Sequence, residues 1–233
     1  MYFSAVIRKF FLNNLLISPS YLQMDPPPPS RIGCLVQNDS ARPHTLESLI
    51  SCFDAYTVSK DFYTKETYAA AQPTQSELTA WEETILSLMS VDGNCTEVTV
   101  PLAISDFYSV GIYTDRLNGL SSYCVLSETT SLSKSGSESF YTKGWGLVVV
   151  PAFQSSVKRY IHLSAPHPTY DLDTPQQAAA LFQAVEAKSL LIDGRSRLAL
   201  REKTDCITSS KAIYYRTDPA HNKVCRFLVY LSN

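Results

Sequence analysis

The chain has four histidines, at 44, 162, 167 and 221, and two of them stand beside a carboxylate. His167 precedes Asp171 by four positions, and His221 follows Asp218 by three. Neutral imidazole and ionised carboxylate are the donors that hold zinc or a similar divalent ion. A metal with an open position acidifies a bound water into a nucleophile. The same pairing also serves without metal, the carboxylate orienting its histidine as a general base. The spacing therefore nominates His167, Asp171 and His221 as Zn2+ ligands, with Asp218 and His221 as the catalytic pair. Against this stands a plain alternative: Asp171 and Asp218 merely cap turns, since Asp218-Pro219 starts one.

Arg195 and Arg197 flank Ser196 and are nominated as a bidentate clamp for an anionic substrate. Surface salt bridging accounts for them equally well. Ser196 lacks the G-x-S-x-G setting of a nucleophile elbow, so no serine hydrolase is expected. His162 falls inside a strand and reads as a buried, hydrogen-bonded residue, while His44 reads as exposed.

The elements that must position these residues follow from periodicity. Tyr160 to Ser164 reads as a strand ending in Ala165-Pro166-His167-Pro168. In Thr174-Pro175-Gln176-Gln177 a capping hydroxyl precedes proline at the first helical position. Ala178, Leu181, Phe182 and Val185 continue that helix, and Ser189 to Ile192 is a second buried strand. The unit is β-α-β, so the two strands are expected to run parallel with a right-handed crossover. Ligands in such folds lie beyond the carboxyl ends of the strands, where His167, Asp171, Arg195 and Arg197 stand.

Upstream, Leu46, Leu49, Ile50 and Phe53 give a helix over 45–56. Thr74 and Glu77 form a capping box for a helix over 75–89. Residues 107–114 and 121–127 read as an antiparallel hairpin around Asn118-Gly119. Residues 127–139 read as an exposed polar loop, and 146–150 as an interior strand. The fold class is α/β: a mixed sheet, a β-α-β unit at 159–193, a hairpin at 107–127 and flanking helices. Residues 1–43 read as a leader and Pro-rich linker before a single domain over 44–233. The apolar stretch at 227–231 is expected to be a last strand or a helix cut short.

Composition narrows the function classes. The 233 residues carry a net charge of -2 and a pI near 6.1, which disfavours a dedicated nucleic-acid binder. No run of 18 apolar residues predicts a membrane span. From Lys188 to Arg226 nine basic residues face four acids, a rim that would attract an anion. Six cysteines without a C-x-x-C pair suit either buried thiols or long-range disulfides. Cys95 and Cys124 fall where adjacent strands would bring them together. The expected setting is secreted or extracellular, with the cytoplasm as the alternative.

The segments 164–174, Gly194-Arg195-Ser196-Arg197 and Asp218-Pro219-Ala220-His221 resemble a largely uncharacterised family of fungal and bacterial proteins. Cys95, Tyr123-Cys124 and Lys143-Gly144-Trp145-Gly146 extend the resemblance over most of 45–227. Members of that family carry histidine where this chain has Ser196, which implies one missing ligand or base. In motif style the chain is also similar to zinc-dependent amidohydrolases of the N-formylglutamate or poly-γ-glutamate type. That similarity implies hydrolysis of an amide or peptide-like bond beside an anionic group. A catalytically degenerate anion-binding protein and a metal-dependent phosphomonoesterase are the alternatives.

Overall fold

The computed structural model describes residues 30–35, 43–133, 138–204 and 213–220. Among these residues the fold is α/β, with a five-stranded mixed sheet, a three-stranded antiparallel sheet and four α-helices. Helix α1 spans Leu46–Asp54, α2 Lys65–Ala71, α3 Gln75–Met89 and α4 Thr174–Ala184. The three-stranded sheet is built from β1 (Ser30–Arg31), β4 (Thr130–Ser133) and β5 (Ser139–Tyr141). The five-stranded sheet uses β2 (Tyr108–Thr114), β3 (Ser122–Glu128), β6 (Leu147–Pro151), β7 (Arg159–Ala165) and β8 (Ala187–Ile192). Its order is β2-β3-β6-β8-β7, antiparallel except for the β7–β8 pair.

The anticipated elements form for the reasons their sequences give. Thr74 accepts the Glu77 N–H while the Glu77 carboxylate accepts the Thr74 N–H, so α3 starts on a reciprocal cap. The hairpin pairs Tyr108 with Glu128 and Thr114 with Ser122 in unbroken register. The β7–α4–β8 unit is parallel, and the last pairs, Ser164 with Leu191 and Ala165 with Ile192, fix which ends meet the site.

Four readings need correction. Residues 127–139 contain β4 and the first residue of β5, because Leu132 and Phe140 pair across the two strands. Residues 30–35, expected in the linker, belong to the fold: β1 pairs with β4, and Cys34 is bonded to Cys52. Thr174 does not cap helix α4: its hydroxyl donates to the Asp171 carbonyl at 2.6 Å, and Asp173, at the N-cap position with φ 59°, makes no side-chain cap bond either. His162 is exposed, with Nδ1 2.6 Å from the Ser189 hydroxyl. Helix α2 escaped the periodicity argument, since seven residues hold too few apolar positions to show a stripe.

The sheet separates two cores. One gathers Leu49, Phe53, Tyr113, Val125, Val149, Phe182 and Leu190 beneath α1 and α4. The other gathers Trp81, Leu88, Tyr108, Leu126, Trp145, Val148 and Leu191 beneath α3. The expected Cys95–Cys124 bond is formed and ties the second core to β3. Cys206, Cys225 and the apolar stretch 227–231 lie outside the described residues. Among the described residues no helix is long and apolar enough to cross a membrane.

Candidate functional site

The site forms where β7 and β8 end. After Ala165 the chain turns tightly: the N–H groups of Tyr170 and Asp171 both donate to the His167 carbonyl, at 3.3 and 3.1 Å. Thr169 takes φ 62° to close that turn. The turn swings Asp171 back, so its Oδ2 lies 3.0 Å from His167 Nδ1. The other ring nitrogen, Nε2, lies 3.0 Å from Oδ1 of Asp218, 51 residues further on. Asp218 is fully buried, and its second oxygen receives the Arg197 guanidinium. Thr217 fixes this arrangement by donating to the Arg197 carbonyl at 2.9 Å.

With both carboxylates ionised, both contacts to His167 are hydrogen bonds only when the imidazole carries two protons, since a neutral ring donates from one nitrogen. The two carboxylates approach opposite edges of the ring. They do not converge on one point with it, which a shared metal ligated by His167 and Asp171 would require. Among the described residues no group of three or more histidine, cysteine or acidic side chains is placed to hold a metal ion. His221 lies outside the described residues.

The two arginines part company. Arg195 turns inward and is 6% exposed; Nε donates to the Gly144 carbonyl and Nη2 to that of Lys143, both at 2.9 Å. The rings of Tyr63 and Tyr68 lie 5.8 and 5.7 Å from its guanidinium carbon. This approach needs glycine: a Cβ on Gly194 would meet Gly144 and Gly146 backbone at 2.7 Å. From the other side, the buried Glu128 carboxylate accepts the N–H groups of Lys143 and Gly144, at 2.5 and 2.9 Å. Arg195 is therefore buried against the 143–146 loop and holds it in place. Arg197 keeps its side chain 19% exposed, stacked 4.9 Å from the Tyr170 ring.

Ser196 is buried at 3% exposure, its N–H on the Val58 carbonyl and its hydroxyl accepting from Leu198 N–H. Two acids of this region escaped the sequence reading. Asp193 closes β8, its N–H on the Ala165 carbonyl and its Oδ1 accepting from Gly194 N–H. Burial pushes its carboxyl up to about 7, with the Asp218 charge adding to the rise and Arg195 opposing it. Burial likewise raises Glu128 to about 7, against the pull of the Lys143 and Gly144 N–H groups. The strand-end argument that nominated Arg195 and Arg197 applies equally to Asp193, the first residue beyond β8. Glu128 gave no such signal, for its partners lie 15 and 16 residues away.

No protein-family model matches the sequence, and no curated protein or solved structure is detectably similar to it. The functional argument therefore rests on the geometry of this chain.

Proposed function

We propose that the protein is a binding member of a hydrolase-like α/β fold, taking a small anionic ligand at Arg197. The observation that carries this reading is the state of that side chain. One nitrogen is on Asp218, the ring of Tyr170 flattens one face, and the remaining N–H groups have no partner among the described residues. A planar donor edge at the mouth of a buried ionic cluster matches the two oxygens of a carboxylate or phosphate. The basic excess over 188–226 adds long-range attraction. Titration of the whole chain with inorganic phosphate at low salt tests it. Saturable binding should weaken at least about tenfold in Arg197→Gln, a loss of about 1.4 kcal/mol. Identical isotherms for both proteins would overturn it.

One observation favours a second reading, metal-dependent hydrolysis of an amide or peptide-like bond. Asp171 on Nδ1 is where an outer carboxylate orients a metal-binding histidine, leaving Nε2 and Asp218 Oδ1 side by side. Two donors fall short of the three that a catalytic zinc site needs, so no catalytic step is assigned to a metal. The two readings separate on Ser196→His. A restored ligand would raise zinc affinity at least about tenfold over wild type and Ser196→Ala, whereas an anion-binding site would leave all three alike. Two disulfides are compatible with an oxidising compartment, and secretion is part of the proposal.

A further inference from the structure

The opposite end of the sheet carries a groove unrelated to the histidine cluster. It opens where β3 and β8 begin, β6 ends and α4 finishes, with a volume of about 530 Å³. The six residues of β8 place it roughly 20 Å from the His167 end. Volumes of a few hundred Å3 are those of small-molecule sites.

Its walls are mostly neutral and polar. Ser155 and Ser156 lie on one side and Ser121 on the other, all lining the groove. The hydroxyls of Ser155 and Ser156 have no hydrogen-bond partner among the described residues. Gln183 donates from Nε2 to Asp115 Oδ2 at 2.9 Å and to the Tyr123 hydroxyl at 3.0 Å, which locks its amide. Its carbonyl oxygen is left as an acceptor. Asn118 is held the same way, Nδ2 on Asp115 and Oδ1 open. The exposed side chains of Ala180 and Ala184 supply an apolar surface between these polar groups.

Charge decides against an anion. Glu47 and Glu186 line the groove, and the one cation, Lys158, already donates to the Ser155 carbonyl at 3.0 Å. An aliphatic ligand would strand the hydroxyls and amides without partners. A pyranose satisfies both demands, since its hydroxyl rim donates to carboxylate and amide oxygens while its C–H face packs on an apolar surface. We infer that this groove is a binding site for a neutral carbohydrate of one or two sugar units, independent of the anion site at Arg197.

The test uses the whole chain and three neutral disaccharides, cellobiose, maltose and N,N′-diacetylchitobiose, followed by calorimetric titration. Ala184 is exposed on the groove wall, so Ala184→Trp fills the groove without entering the core. Ser156→Trp, also at an exposed position, does the same from the other wall. At least one disaccharide should bind saturably, and each folded variant should weaken it tenfold or more while phosphate binding stays unchanged. No binding by any of the three would overturn the inference. So would binding that survives both tryptophans, or a preference for glucuronate over glucose.

Discussion

Arg195 and Arg197 stand two residues apart in one loop, and the molecule uses them in opposite ways. Arg195 is sealed between two tyrosine rings and donates to two backbone carbonyls of the 143–146 loop. Arg197 is partly exposed, pairing with Asp218 through one nitrogen. Around Arg195 the neighbours are glycines and backbone, chosen by close approach; around Arg197 they are ionisable side chains. Residue type announces a guanidinium but not its employment. What separates the two is whether the chain beside them leaves room for backbone contact, as Gly144, Gly146 and Gly194 do.

The sharpest way to break this contrast is to remove each arginine. Arg195→Ala deletes a buried cation that holds two carbonyls and faces Glu128 and Asp193, and should cost about 3 to 5 kcal/mol in denaturant unfolding. Arg197→Ala leaves Asp218 with His167 and access to water, and should cost about 2 kcal/mol. Equal losses would erase the distinction between a frame residue and a site residue.

The disulfide in the frame gives the next effect. Cys95 and Cys124 close a loop of 29 residues, worth about 3 to 4 kcal/mol through the unfolded chain. Cys95→Ser with Cys124→Ser should lower the unfolding free energy by that amount and leave phosphate affinity of the folded protein unchanged. A change in affinity would mean that the frame and the site are coupled.

Protons act on the frame as well. Glu128 and Asp193 both carry folded-state values near 7, above the ordinary 4.5 and 3.8. Raised acids bind protons more tightly when folded, so their contribution is complete below about pH 4 and is lost as pH rises through 7. For Glu128 alone the difference is about 3 kcal/mol. Unfolding free energy should therefore fall between pH 5 and 8, and Glu128→Gln should flatten that slope. An unchanged slope would exclude Glu128 as its source.

The smallest effect belongs to Asp171, whose side chain is about half exposed. Asp171→Asn should cost less than about 1 kcal/mol, as exposed pairs do. A larger loss in thermal or chemical melts would mean that His167 depends on both carboxylates for its place.

Much of the frame was legible because its signals are local. The cap at Thr74 and the stripe Leu46–Leu49–Ile50–Phe53 each state a structure within a turn or two of helix, and the β-α-β pattern does so over one contiguous stretch, 159–193. The Cys95–Cys124 bond was legible at one remove, through the strands that carry it. The site was legible in part: strand-end reasoning brought His167, Asp171 and Arg197 to one place, though it put Arg195 there too, and Asp218, nominated from its spacing to His221, stands against both His167 and Arg197. What sequence could not express was orientation. Asp171 and Asp218 approach opposite nitrogens of one ring, Arg195 faces inward, and Glu128 meets partners in the 143–146 loop; each depends on the tertiary path. The β1–β4 pairing escaped for the same reason, since it joins Ser30 to Ser131 across a hundred residues.

The central proposal is that His167, closed on both edges by carboxylates, serves the ionic cluster at Arg197 and not a metal. Zinc titration of the whole chain against a chromophoric chelator, wild type beside His167→Gln, tests it directly. The account predicts superimposable curves for the two proteins. A one-to-one site tighter than about 1 µM in the wild type, abolished by His167→Gln, would contradict it.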